Sequence, residues 1–415
     1  MKVLASVYAC SPYDGSERAV GWNWIRQLDK DNEITAITSH VYRDDIEDFL
    51  KKNPGVINNT KFVYVDVPNT KWHVGYRLER LYYMLWQRVA VKKARELCEK
   101  EKYDLVHHIT YVTCILPTFM HKLSVPFLYG PVSGGENTPS IIGYPMSHKQ
   151  RIVELVRSAS QLFFKSTPNF AKTMKRARLI LATTDETKAL IPEKYHNKVQ
   201  VFQSIGLNDD IFYPEPKKKD NKVIQFLVAG RMLYWKGFEL AIKAFIEAVN
   251  NGALAELTIL GDTENNPSYE QHREYLKDLC GNHLERDIHF VATVPHSEMK
   301  DFYDRFDCLI NCSLRDSGCF IVMEAMSRGL PLICVNTGGP KINTTNECAI
   351  KIEPAQMKEM ISSISDSILQ MAGDKEMREC MGREARKHAY NTFRISSRTR
   401  QMNEFYKWVV ESGEQ

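Results

Sequence analysis

A chain of 415 residues is too long for one compact core and sets a prior of two domains of roughly 200 residues each. Apolar residues make up 43% and charged residues 26%, an ordinary globular balance, and a formal net charge of +4 is too small to indicate nucleic-acid binding. No apolar run reaches the roughly 18 residues of a spanning helix, and Val3–Val7 is too short for a signal peptide, so the expectation is a cytoplasmic protein, at most peripheral to the inner face of a membrane.

Short apolar runs alternate with segments of helical period. The first series of predicted strands is Val3–Tyr8, Glu33–Thr38, Lys61–Val65, Leu105–Ile109, Phe127–Tyr129, Leu179–Ala182 and Val199–Phe202. The second is Ile224–Ala229, Glu256–Leu260, Ile288–Val291, Cys308–Asn311, Leu332–Val335 and Ala349–Ile352. Strands alternating with helices predict an α/β protein of parallel sheets with helices on both faces. Residues 208–222 are polar, proline-bearing and end in a charge run, as linkers do. The expected architecture is two doubly wound, Rossmann-like domains facing a cleft, over residues 1–207 and 223–390. Ligands of such sheets bind beyond the carboxyl ends of the strands, so the loops there hold the candidate chemistry.

After the first strand comes Ala9-Cys10-Ser11-Pro12-Tyr13-Asp14-Gly15-Ser16-Glu17. Backbone N–H groups of Gly15 and Ser16 can contact phosphate, or the loop is an ordinary β-to-α turn. No G-x-G-x-x-G follows this strand, which argues against a dehydrogenase. The fourth strand ends in His107-His108, either of which can face the cleft, since neighbours alternate on a strand. Glu136 follows a glycine-rich run, Gly130-Pro131-Val132-Ser133-Gly134-Gly135, and is the candidate acceptor contact there, unless the loop only shapes the pocket. Residues 146–178 interleave Lys149, Arg151, Arg157, Lys165, Lys172, Lys175, Arg176 and Arg178 with apolar residues such as Ile152, Leu155, Leu162 and Phe163. They read as a surface for anionic lipid or as helices with one core face and one solvated basic face, and Trp72–Arg95 reads the same two ways. Asp29-Lys30-Asp31 is an isolated DxD in a polar turn, and the ten cysteines carry no zinc spacing. No metal is expected, and the cysteines are expected as free thiols in a reducing compartment.

In the second domain, Gly230-Arg231-Met232-Leu233-Tyr234-Trp235-Lys236-Gly237 puts two cations in one loop ahead of a helix. Arginine gives bidentate contacts, lysine a point charge and helix N–H groups add to both, which suits a diphosphate; alone, the segment is also a solvated basic turn. The later segment Asp316-Ser317-Gly318-Cys319-Phe320-Ile321-Val322-Met323-Glu324 predicts a helix capped by Ser317 or Gly318 and running to about Arg328. Free N–H groups near its start can take phosphate oxygens, and Glu324 can accept ribose hydroxyls.

The order and spacing of these pieces resemble the retaining glycosyltransferase family 4 of the GT-B fold. The resemblance rests on Gly230-Arg231…Lys236-Gly237, Leu260-Gly261-Asp262, Ser313…Asp316…Glu324-Ala325-Met326, Gly329-Leu330-Pro331 and Gly338-Gly339. It implies that Arg231 and Lys236 bind the donor diphosphate and that Glu324 binds the ribose. It places Asp316 against the donor sugar, where the family usually has the longer Glu. It implies that Gly230, Gly15, Ser16, Gly318, Cys319, Phe320 and Ile321 line the donor, that His107 and His108 face the acceptor, and that a C-terminal helix, 391–415, packs back on the first domain. The family's histidine after the next strand is missing here. The implied reaction is transfer of a sugar, with retention, from a nucleotide-diphosphate co-substrate, UDP-type over GDP-type, to a glycan or lipid-linked acceptor in polysaccharide or glycoconjugate assembly. Retaining glycosidases use two carboxylates about 5 Å apart, one as nucleophile. Only Asp316 is near here, so a front-face displacement is expected, without cofactor or metal, with Asp316, Arg231 and Lys236 as the catalytic set. The alternatives are a nucleotide-sugar epimerase of the same fold and a non-catalytic nucleotide-sugar-binding scaffold.

Overall fold

Parallel strands buried on both faces need continuous apolar runs, and the runs found in the sequence are those strands. The computed structural model describes all residues except 68–78, 117, 140, 142, 205, 217–220, 263–265 and 413–415. The first sheet contains β1 (Lys2–Val7), β2 (Glu33–Ser39), β3 (Thr60–Val65), β4 (Leu105–Thr110), β5 (Phe127–Val132), β6 (Leu179–Ala182) and β7 (Val199–Val201). The second contains β8 (Ile224–Arg231), β9 (Ala255–Asp262), β10 (Ile288–Val291), β11 (Cys308–Asn311), β12 (Leu332–Val335) and β13 (Ala349–Ile352). Their orders are β3-β2-β1-β4-β5-β6-β7 and β10-β9-β8-β11-β12-β13, with parallel pairing throughout. All the strands read from the sequence are present. β8 and β9 run further than expected, because their ladder continues through Gly230↔Gly261 and Arg231↔Asp262.

In each sheet the chain winds outward in one direction and then returns to the other side of its first strand. The crevice at such a reversal opens beyond the carboxyl ends of β1 and β4 in the first sheet, and of β8 and β11 in the second.

Two compact units hold these sheets. One comprises Met1–Gly135, Val156–Ile205 and Ile395–Gln415; the other comprises Glu136–Leu155 and Gly206–Arg394. In the first unit Trp24, Trp86 and Tyr83 are buried, and the Trp24 indole donates to the Ser204 carbonyl at 2.8 Å. The helix Ile395–Glu411 buries Met402 and Tyr406 in this core, and Arg178 donates to the Val409 carbonyl at 2.7 Å. In the second unit Phe226, Phe238 and Phe245 pack the face between β8 and the helix Phe238–Asn250.

Part of the stretch read as a linker, 208–222, is anchored inside the second unit. Phe212 is fully buried, and the Arg328 guanidinium donates to the Ile211 and Pro214 carbonyls at 2.8 Å while gripping Asp304. The rest of its charge run, 217–220, lies outside the described residues. Of Trp72–Arg95, residues 72–78 also lie outside them, whereas the helix Glu79–Lys100 turns Tyr82, Tyr83, Trp86, Ala90 and Ala94 into the core. None of the ten cysteines is bridged. Among the described residues no helix is long and apolar enough to cross a membrane.

Candidate functional site

The reversal point of the second sheet gathers the two segments singled out by sequence. Gly230 and Arg231 are the last residues of β8, with Gly230 at φ +151°. The chain then makes a short turn, Tyr234–Lys236, and enters its helix through Gly237 at φ +69°. A Cβ on Gly237 would collide with the Cys312 carbonyl oxygen just past β11, so only glycine lets the two loops approach. The Trp235 carbonyl accepts from the Leu314 amide at 2.8 Å, fixing one loop to the other.

This contact sets the ammonium of Lys236 on the carboxylate of Asp316. Burial alone would lower the lysine, but Asp316 more than offsets it and holds Lys236 above its ordinary range. Burial would likewise raise Asp316, yet Lys236 and two backbone amides hold its carboxyl below the usual carboxylate range. Those amides belong to Gly318 and Cys319, 3.2 and 3.0 Å from Oδ1.

The helix beyond is Phe320–Ser327, entered through Cys319 in a left-handed conformation with no side-chain cap of its own. The expected cap at Ser317 or Gly318 is thus not formed. Asp316 instead reaches forward to the Gly318 and Cys319 amides and holds the turn just ahead of the helix. Two further contacts hold this turn. Gly339 donates to the Asp316 carbonyl at 2.7 Å, and Asn343 donates to the Gly318 carbonyl at 2.7 Å.

Glu324 lies within the helix, 8% exposed, and its Oε2 accepts from the Tyr303 hydroxyl at 2.7 Å. Sequence reasoning gives Tyr303 no role, yet it orients this carboxylate. The two residues sit on different helices, on either side of β11, so only the fold reveals the pairing. A second group missed by sequence braces the Tyr234 turn. Tyr144 donates to the Tyr234 carbonyl and to Glu239. Glu154 accepts from Arg315 at 2.5 Å and from the Tyr234 hydroxyl, while the Arg315 guanidinium lies 4.1 Å from the Trp235 ring centre. Glu136, the candidate acceptor contact, falls in the second unit and is 4% exposed.

At the reversal point of the first sheet the arrangement differs. Gly15 precedes the helix Ser16–Leu28 as its N-cap, and the Glu17 carboxylate accepts from the Val112 amide beyond β4. Enclosure pushes the Glu17 carboxyl up to about 7. His107 and His108 are both fully buried. His107 Nδ1 meets the Tyr406 hydroxyl at 2.7 Å and Nε2 meets the Gly130 carbonyl at 2.6 Å. The carbonyl can only accept, so Nε2 carries the proton and Nδ1 accepts from tyrosine. Both nitrogens are used, and the expectation that His107 contacts an acceptor is corrected: it ties β4 and β5 to the C-terminal helix. His108 Nε2 meets the Tyr111 carbonyl at 3.2 Å and its ring stacks on Tyr129. Burial lowers His107 to about 4 and His108 to about 3, so both are neutral near pH 7. The Asp29 carboxylate of the DxD is occupied by the Asn58 and Asn59 amides and the Thr60 hydroxyl. Among the described residues no group of three or more His, Cys, Asp or Glu is placed to hold a metal ion.

The second unit also has relatives. Residues 209–388 match the family described as glycosyl transferases group 1. The chain is 25% identical over 252 residues to Protein CapJ of Staphylococcus aureus, covering 56% of this chain and 61% of that protein. It is 24% identical to one subunit of the phosphatidylinositol N-acetylglucosaminyltransferase of Arabidopsis thaliana, over 41% of this chain and 37% of that protein. The chain thus spans only about half the length of the curated relatives it matches. Among solved structures, sucrose-phosphate synthase from Thermosynechococcus elongatus aligns over 99% of both chains at TM-score 0.68 and 13% identity. HepE of Anabaena, solved in complex with UDP, aligns over 98% of this chain and 100% of that one at TM-score 0.63 and 12% identity. Together these findings show the GT-B fold, with a match to a glycosyl transferases group 1 domain over residues 209–388.

Proposed function

We propose that the chain is a retaining, family 4 glycosyltransferase that moves a sugar from a UDP-type nucleotide donor to a glycan or lipid-linked acceptor in glycoconjugate assembly, without a metal. The observation that carries this reading is the junction of β8 and β11, where Lys236, the Gly318 and Cys319 amides and the braced Glu324 converge. Lys236 and Arg231 supply positive charge for a diphosphate, the amides add backbone donors, and Glu324 accepts ribose hydroxyls. UDP is favoured because HepE of Anabaena was solved with UDP. The lipid-linked acceptor draws on the phosphatidylinositol-directed name of the Arabidopsis relative.

In the proposed reaction the acceptor oxygen attacks the anomeric carbon as the bond to the diphosphate oxygen breaks on the same face. Negative charge grows on the leaving diphosphate, where Arg231, Lys236 and the helix amides stabilise it. The acceptor proton passes to a phosphate oxygen of the leaving group. Asp316 holds Lys236 and lies beside the donor sugar.

The test is a thermal-shift screen of UDP-, GDP-, ADP- and dTDP-sugars, since a bound ligand raises stability by mass action. A shift with a UDP-sugar, followed by transfer of labelled sugar to a lipid-linked acceptor with retained configuration, is expected. No shift with any nucleotide sugar sinks the reading, and turnover of donor without acceptor reassigns the chain as an epimerase.

A further inference from the structure

The second unit holds a cavity of about 310 Å³ at the end of its sheet away from the β8–β11 junction. Asp307 and Pro331, which line it, are the residues just before β11 and β12. Small-molecule sites have volumes of about 300–1,000 Å³, and this cavity falls among them. One wall is a single face of the helix Lys375–Phe393, where Lys375, Arg378, Glu379, Gly382, Arg383 and Arg386 recur at helical spacing. The facing wall includes Phe306, Gly329 and Pro331. Gly382 permits the approach, since a Cβ there would lie 2.5 Å from the Gly329 carbonyl oxygen.

The helix wall keeps positive charge. Lys375 with Arg378, and Arg383 with Arg386, are like-charged neighbours about one turn apart, a pairing that disfavours a helix. Arg378 is held by the Met371 and Ala372 carbonyls, and Arg386 by the Ser327 and Phe212 carbonyls. Such partners fix a guanidinium and leave its charge. The carboxylates offset little of it. Asp307 accepts from the Asn221 side chain and the Gln225 amide. Glu379 stands 4.0 Å from Arg383 with both side chains exposed, and Glu215 meets Arg386 at 3.3 Å with 78% of its side chain exposed. Anchored cations suit a phosphate, the Glu379 carboxylate among them accepts hydroxyls, and Phe306 and Pro331 offer a flat apolar surface.

We propose that this cavity binds a sugar phosphate, with the phosphate on the helix cations, the ring against Phe306 and Pro331 and a hydroxyl on Glu379. The bound ester acts on the donor junction through one helix. Phe320–Ser327 begins beside the Gly318 and Cys319 amides and carries Glu324. Its Ser327 carbonyl accepts from Arg386 at 2.8 Å, and Arg328 and Gly329 beyond it line the cavity. Ligands at the two ends of this helix bias the same element, and their coupling is reciprocal. The site stands on its geometry alone, whereas its coupling to nucleotide binding rests on the proposed function.

Isothermal titration of the full chain with glucose 6-phosphate tests it, with inorganic phosphate as the comparison. Wild type should bind the ester roughly tenfold tighter than inorganic phosphate. Lys375→Glu with Arg383→Glu should weaken the ester roughly tenfold or more, as charge-assisted hydrogen bonds are lost, and Lys375→Ala with Arg383→Ala should weaken it less. All four substitutions are at exposed positions, so both variants should keep the wild-type melting temperature. Lys236→Ala should leave ester binding unchanged. Saturating ester should change UDP affinity about fivefold, and the charge-reversed variant should lose that response. No ester binding by wild type overturns the proposal, and so does equal binding by the charge-reversed variant or by inorganic phosphate. Loss of ester binding in Lys236→Ala also overturns it, by assigning the ester to the β8–β11 junction. A UDP affinity indifferent to the ester removes the coupling. If UDP does not bind while the ester follows the expected order, the function proposal fails and the cavity site stands.

Discussion

The two units are built alike and use the carboxyl ends of their central strands differently. In the second, β8 and β11 end in a partly buried cation, a partly buried carboxylate and turns that only glycine can make. In the first, β1 and β4 end in aromatic side chains and in two neutral imidazoles, one of which is fully committed to internal partners. The same topology therefore holds charge ready at one reversal point and removes it at the other. The difference teaches that a strand-end position nominates a residue for chemistry, while its partners decide whether it is available.

The largest expected effect tests the charged end. Lys236→Ala should lower transfer by about 10²–10³-fold, comparable with the loss of one donor at a developing charge, while far-ultraviolet circular dichroism stays native. Wild-type rates in this variant would erase the contrast. Next comes pH. His107 titrates near 4 when folded against about 6.5 unfolded, so the unfolded state binds the extra proton between those values. The stability this buried imidazole contributes is complete above about 6.5 and is lost as pH falls towards 4, by about 3 kcal/mol. Urea melts across this window should show that slope in wild type and a shallower one in His107→Phe. The shallower slope should come without any change in UDP affinity.

A smaller effect separates the glycines. Gly237→Ala should cost about 2–3 kcal/mol and weaken nucleotide binding, since it combines a left-handed backbone with a backbone collision. Gly15→Ala meets open space and should cost less than about 1 kcal/mol, as a weak cap exchanged for a poorer one. Equal losses in the two variants would contradict the geometry. Smallest is Tyr303→Phe, which removes the hydroxyl on Glu324 and should weaken UDP-sugar affinity about tenfold, with the maximal rate changed less.

How much of this was legible beforehand follows from the range of the interactions. The strands were, because a parallel strand covered on both faces must be apolar along its length. So were the Gly230–Gly237 and Asp316–Glu324 segments, whose spacing is local. His107 was not: on a strand buried on both sides alternation cannot say which face is functional, and its partner Tyr406 lies 299 positions away. The cap of the helix Phe320–Ser327 was misplaced because the rule looks for a polar residue at the boundary. Here Cys319 stands at the boundary without a side-chain cap, and the Asp316 carboxylate holds the turn ahead of it. The grouping of Glu136–Leu155 with the second unit depends on Tyr144 and Glu154 meeting Tyr234 and Arg315, contacts with no sequence signal of their own.

The hold of Asp316 on Lys236 and on two amides has a consequence for selectivity. A tethered carboxylate competes for those donors at the high effective concentration of an intramolecular ligand. Free phosphate, bearing no second anchor, must displace it unaided. On the proposed reading, a nucleotide diphosphate brings its ribose to Glu324 as well, so its phosphates also arrive at high effective concentration. The aspartate would then act as a resident competitor that a bidentate ligand can evict and a bare anion cannot.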